Sequence, residues 1–140
     1  MLYFAYGMNT NPREMALRCP GAVSMGHARL VNHSFRFAQH ADVEPCSDSY
    51  VDGVLWEINE QNLQALDNLE GYPYYYDRVV ASVVHGARTY HALVYRMQPG
   101  HEVSEPTLGY YNLVTEGYRA HSVPTEQLEN SLNFSTTIFA

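Results

Sequence analysis

The chain opens on Leu2-Tyr3-Phe4-Ala5-Tyr6-Gly7-Met8-Asn9, and this stretch constrains most of what can follow. Leu2 to Ala5 is short, apolar and aromatic, which suits a strand buried on both faces. A strand of that kind needs neighbours on both edges, so the remaining chain has to fold around it. The run is too short for a secretory leader, lacks a basic n-region, and is too short to span a membrane. Gly7 breaks it, and the missing Cβ permits a sharp turn or the close approach of a ligand. Asn11 can then cap a helix that begins at Pro12 with Glu14 as its third residue. Strand, glycine loop and capped helix in this order can turn several N–H groups toward one point and hold an oxygen or a carboxylate there. The same residues also suit a plain strand-to-helix connection, and one glycine does not choose between the two.

A chain of 140 residues, 46% of them hydrophobic, is expected to form a single domain over residues 1–140 with a core that needs no disulfide or metal. The formal net charge is −7, and the eight basic residues, all arginine, are scattered. Without a basic stripe, neither nucleic acid nor an anionic membrane is expected as a partner. Cys19 and Cys46 lie far apart, outside any CxxC pair, and read as free thiols in a reducing cytosol, so a cytoplasmic location is expected. The seven histidines form no HxxxH or HExxH pattern, and no metal site is expected.

Along the chain, the first helix should run from Pro12 to Arg18 and end at Cys19-Pro20-Gly21. Val23 to Val31 reads as a strand broken at Asn32-His33, and Phe35 with Phe37 as a separate half-buried strand. Gln39 to Ser49 is polar, contains Pro45 and lacks an apolar period, so it reads as a loop. Val51 to Ile58 is a strand, with Gly53 a bulge or close-approach site. Asn59 caps a helix over Glu60 to Leu69 with Leu63, Leu66 and Leu69 inward, stopped by Gly71 and Pro73. Tyr76–Val84 and Thr89–Met97 form a hairpin about His85-Gly86. Thr107 to Tyr118 reads as a helix burying Leu108, Tyr111 and Tyr118, and Pro124 to Leu132 as the last one. The tail from 133 to 140 has a β-rich composition that could close an edge. The order β-α-β-β-β-α-β-β-α-α, with its hairpin pairs, gives an α+β fold with a mainly antiparallel, curled or closed sheet.

Glu70 stands out because it occupies the C-terminal end of a helix, just before the stop glycine. The helix dipole is negative there, so a carboxylate breaks a local preference, and such breaks cluster at functional sites. The dipole would raise its pKa and improve it as a base. A solvent-exposed glutamate is the plain alternative.

Tyr3-Phe4-Ala5-Tyr6-Gly7-Met8-Asn9 resembles the Y-F-A-Y-G-S-N opening of the γ-glutamylcyclotransferases, the AIG2-like family. Val54-Leu55-Trp56 followed by Leu66-Asp67-Asn68-Leu69-Glu70-Gly71 resembles that family's aromatic strand and its L-D-x-x-E-G helix end. Tyr76 to Val83, Val94-Tyr95-Arg96-Met97 and the closing run Tyr111 to Leu132 match in order, so the similarity covers nearly the whole chain. The resemblance implies a small, closed or nearly closed β-barrel flanked by helices. It implies attack of an α-amine on its own γ-glutamyl amide, as in glutathione metabolism, giving 5-oxoproline and a free amine without metal or organic cofactor. It puts the catalytic carboxylate on Glu70 and the substrate-holding positions on Tyr6, Gly7, Met8, Asn9 and Tyr95. Met8 departs from the family serine. If only the backbone N–H acts there, function is kept; if the hydroxyl touches substrate, the substrate differs or activity falls. A non-catalytic binder of a small metabolite or a protein on the same fold is the alternative. The tyrosines Tyr72, Tyr74, Tyr75 and Tyr76 suit either a barrel rim or an aromatic wall over the site.

Overall fold

The computed structural model describes residues 1–132; the expected edge strand in the tail lies outside them. Strand β1, Leu2–Ala5, is a largely buried strand in the wall of a five-stranded closed barrel. It pairs antiparallel with β3, His40–Glu57, in the register Leu2↔Glu57 to Ala5↔Val54. On its other edge it meets β5, Arg88–Met97, in parallel at Tyr3↔Leu93. Strands β2, Val23–Ala38, and β4, Tyr76–His85, complete the order β1-β3-β2-β4-β5. Every other pairing is antiparallel, and closure leaves β1 without a free edge. Gly53 of β3 makes the tight fit possible: a Cβ there would stand 2.3 Å from the Ala5 carbonyl oxygen.

Two expectations fail in the β2–β3 hairpin. The break at Asn32-His33 is a bulge inside one continuous strand: the register shifts between Val31 and His33, and Asn32 absorbs it at φ 59°. The polar run Gln39 to Ser49 is not a loop, since all but Gln39 belongs to β3. Ala41, Asp42 and Val43 are all buried, and the buried acid between them hides the apolar pattern of a strand. Asp42 is kept there by Arg36, whose Nε donates at 2.8 Å, and by the Met97 N–H at 2.9 Å. Pro45 sits opposite His33, next to the bulge, where a missing N–H is tolerated.

The helices pack around the barrel. In α1, Pro12–Arg18, the Asn11 side chain accepts from the Arg13 and Glu14 amides. In α2, Glu60–Glu70, Asn59 and Asn62 form a reciprocal capping box and Gly71 takes the left-handed C-cap at φ 64°. Leu66 is fully buried as expected, but Leu69 is 46% exposed because the last turn lies over a cavity. In α3, Leu108–Ala120, the buried face is Val114, Gly117 and Tyr118; Leu108, expected inside, is exposed in the first turn. A Cβ on Gly117 would meet Thr10 Oγ1 at 2.2 Å and the Asn11 amide nitrogen at 2.5 Å, so α3 lies directly on the segment after β1. Tyr118 fixes that contact by donating to the Tyr6 carbonyl at 2.5 Å. Helix α4 spans Glu126–Leu132, and Leu128 is fully buried. Full burial of each such apolar side chain contributes about 1.5–3 kcal/mol.

Candidate active site

The site begins where β1 ends. After Tyr6 and Gly7 the chain makes one 3-10 turn, Met8–Thr10. The Thr10 N–H donates to the Gly7 carbonyl at 3.1 Å, the Thr10 hydroxyl joins it at 2.8 Å, and the Asn11 N–H donates to the Met8 carbonyl at 3.0 Å. The first amides of such a turn have no internal acceptor. Among the described residues, those of Met8 and Asn9 find no other backbone acceptor. Both residues line a cavity of about 190 Å³.

Glu70, the last residue of α2, lines the same cavity. The αL cap at Gly71 ends the helix there, and Leu69, Tyr75 and Tyr110 line the cavity with the acid. Burial pushes its pKa up from 4.5 to about 7, with Arg18 nearby pulling the other way. Asn9 Nδ2 donates to Glu70 Oε1 at 3.4 Å and to the Tyr3 hydroxyl at 3.0 Å. Arg18 Nη1 in turn donates to Asn9 Oδ1 at 2.6 Å. The amide of Asn9 is thereby oriented with its nitrogen toward the carboxylate.

Phenols make up much of the wall: Tyr3, Tyr6, Tyr75, Tyr76, Tyr95 and Tyr110. Burial raises the pKa of each and keeps them neutral. Tyr6 donates to the Tyr95 carbonyl at 2.5 Å and Tyr76 to the Ala41 carbonyl at 2.7 Å. The Tyr95 hydroxyl is directed at Asp67 Oδ1, 2.6 Å away, so the carboxylate it holds belongs to the protein. Asp67 Oδ2 is gripped by Arg78, over which the Tyr72 ring stacks with Cζ 4.4 Å from its centroid. Asp67 thus ties the last turn of α2, and Glu70 with it, to β4 and β5.

All six residues singled out in the sequence, Glu70, Tyr6, Gly7, Met8, Asn9 and Tyr95, line this one cavity. The Met8 thioether rests against Arg18, with Sδ 3.8 Å from Nη2. Of the tyrosine cluster, Tyr75 and Tyr76 line the cavity, Tyr72 covers Arg78, and Tyr74 is exposed to solvent. Arg18, His40, Asp67 and Tyr110 were not anticipated. Asp67 lies inside the L-D-x-x-E-G motif, and that was its only signal. His40 was obscured by the loop assignment, and its Nδ1 lies 3.0 Å from the Tyr75 hydroxyl. Among the described residues no group of three or more His, Cys, Asp or Glu gathers to hold a metal, and no helix is long and apolar enough to cross a membrane.

Residues 3–120 match the family described as gamma-glutamyl cyclotransferase, AIG2-like. The chain is 29% identical over 144 residues to the gamma-glutamylcyclotransferase of Bos taurus, covering 89% of this chain and 73% of that one. The Homo sapiens gamma-glutamylcyclotransferase is 27% identical over 147 residues, covering 91% and 75%. A solved structure named gamma-glutamyl cyclotransferase superimposes with a TM-score of 0.84 at 26% identity, over 94% of this chain and 85% of that one. YkqA of Bacillus subtilis shares the fold with a TM-score of 0.82 at 23% identity, over 96% of this chain and 54% of its own. With the family match spanning residues 3–120 and the fold shared with a solved gamma-glutamyl cyclotransferase, the chain belongs to the gamma-glutamyl cyclotransferase, AIG2-like family.

Proposed function

We propose that this protein is a γ-glutamyl cyclotransferase that releases 5-oxoproline and a free amine or amino acid from a small γ-glutamyl compound. The observation that carries the reading is Glu70, whose pKa burial raises to about 7, in a cavity also lined by Met8 and Asn9, whose amides have no hydrogen-bond acceptor among the described residues. The substrate's α-ammonium must lose a proton before its nitrogen can attack the γ-carbonyl carbon. Glu70 takes that proton. The new C–N bond closes the five-membered ring, and the electron pair of the carbonyl moves onto oxygen, where the Met8 and Asn9 amides stabilise it. As the carbonyl re-forms, Glu70 returns the proton to the leaving nitrogen and the bond to it breaks. The ring nitrogen still carries one proton more than an amide holds; the re-ionised Glu70 takes that second proton and passes it to the released amine, which departs as an ammonium. A pKa near neutrality serves both transfers, because the group must be a competent base and then a competent acid.

The nucleophile is tethered to the carbonyl it attacks, so the cavity mainly has to select the ring-closing conformer. Tethered, well-oriented reactions reach effective molarities on the order of 10⁵ M or more. The aromatic walls restrict the glutamyl chain and reduce water around the oxyanion.

The test is release of 5-oxoproline from a panel of γ-glutamyl amino acids, γ-glutamyl amines and glutathione. Wild type should turn over at least one, and Glu70→Gln should lose about 10²–10⁴-fold or more in kcat while remaining folded. Wild type inert across the panel, with Glu70→Gln indistinguishable from it, would make the chain a small-metabolite binder on this fold.

A further inference from the structure

The cavity holds one pair of opposite charges. Among the described residues that line it, Glu70 is the only carboxylate and Arg18 the only guanidinium, and the chain contains no lysine. His40 stays neutral there, because burial lowers its pKa. The two charges stand at either end of one carboxamide: Arg18 Nη1 donates to Asn9 Oδ1 at 2.6 Å, and Asn9 Nδ2 donates to Glu70 Oε1 at 3.4 Å.

The other nitrogen of the guanidinium is poorly satisfied. Arg18 Nη2 lies 3.6 Å from Glu14 Oε1 and 3.8 Å from Met8 Sδ. The first separation is too long for a hydrogen bond, and a thioether is a weak acceptor. The Arg18 side chain is only 19% exposed, so little water reaches it. A half-buried cation with an unspent donor in a cavity fits an anion that arrives with the ligand.

Resting on the cyclotransferase reading, we propose that Arg18 anchors the substrate's α-carboxylate through Nη2 while Glu70 faces the α-ammonium. Every γ-glutamyl compound of this kind carries that carboxylate, whatever amine it releases. An α-amino acid head bears its ammonium and carboxylate on one carbon, so it meets Arg18 and Glu70 with one hydrogen bond at each end. Burying the carboxylate without a cation would be costly. Binding displaces only the contact to the thioether, because Nη1 keeps its bond to Asn9. With its head fixed at both charges, the glutamyl chain has to fold back for its γ-carbonyl to reach the Met8 and Asn9 amides, and that folded form is the ring-closing conformer. Arg18 takes no part in proton transfer.

The experiment compares a γ-glutamyl compound that wild type turns over with its α-carboxamide counterpart, which keeps the α-amine, still cyclises and releases the same amine. Release of that amine is followed for both. Wild type should prefer the acid by about 10–10²-fold in kcat/KM, the range for a hydrogen bond to a charged group. Arg18→Gln removes the charge but keeps a donor for Asn9, and it should bring the preference to within about threefold of one, losing mainly on the acid. A loosened loop would instead slow both substrates alike. A second variant places citrulline at position 18, by ligating a synthetic peptide of residues 1–18 to residues 19–140 at Cys19. Citrulline keeps the shape and a donor without the charge, should show the same loss of preference, and decides the matter if Arg18→Gln fails to fold. Equal losses on both substrates, with the preference intact, overturn the proposal and leave Arg18 a support for Asn9. So does a preference that follows a carboxylate on the leaving amine. Wild type that releases no 5-oxoproline from any γ-glutamyl compound removes the cyclotransferase reading, and this role with it; an active wild type that treats acid and carboxamide alike removes this role alone.

Discussion

Replacing Glu70 by glutamine should stabilise the protein while disabling it, and the gain should depend on pH in a specified way. In the folded chain the acid titrates near 7 rather than 4.5, because burial disfavours its charged form. The folded state therefore binds the proton more tightly than the unfolded state. The stability that this contributes is fully present below about pH 4.5 and is lost as pH rises through about 7. Each tenfold difference in proton affinity is worth about 1.4 kcal/mol, so ionising Glu70 costs the wild-type fold about 3 kcal/mol in the limit of complete exclusion from water. The cavity opens to solvent at its mouth, which screens the charge and brings the expected cost to about 1–3 kcal/mol. Glutamine has nearly the same shape, can still accept from Asn9 Nδ2, and never ionises. Glu70→Gln should match wild type near pH 4 and exceed it by about 1–3 kcal/mol near pH 8, or roughly 3–10 °C in Tm for a domain of this size. Urea unfolding at the two pH values, followed by the fluorescence of the sole tryptophan, the buried Trp56, measures this directly. Other titrating groups are common to both proteins and cancel in the difference. A variant less stable at pH 8, or a gap equal at both pH values, would refute the reasoning, because Glu70 would then be solvated or held by partners that favour its charge.

The pH profile of kcat/KM should rise through an apparent pKa near 7, because the free enzyme must hold Glu70 ionised to accept the ammonium proton; activity flat down to pH 5 would point to another base. Asp67→Asn weakens the hold on Arg78 and Tyr95 and should cost about 1–3 kcal/mol of stability in urea unfolding, with kcat falling as the Glu70 turn loosens. Gly117→Ala drives a methyl group into Thr10 and the Asn11 backbone and should cost about 1–3 kcal/mol while lowering kcat; wild-type behaviour would mean that α3 does not clamp the loop.

How much of this was legible beforehand follows from how each residue's signal is carried. Local signals read well: the Asn11 cap on Pro12, the Gly71 stop and the buried aromatic run Leu2–Ala5 depend on neighbouring residues and came out as expected. Glu70 was legible for the same reason, as an acid against the helix dipole, although burial proves to be the cause of its raised pKa. Residues whose meaning depends on distant partners did not read. Asp42 looked like part of a polar loop because its partners, Arg36 and the Met97 amide, come from two other strands. Tyr110 looked like any aromatic in a helix, because its partner, the Ala41 N–H, belongs to β3. Leu69 was assigned inward from its period alone, and the period does not encode that the last turn of α2 overhangs a cavity. The motif residues and the unanticipated ones therefore contribute differently. The motif supplies the acid and the amides; the long-range contacts determine how dry the acid is and which way the amide of Asn9 faces.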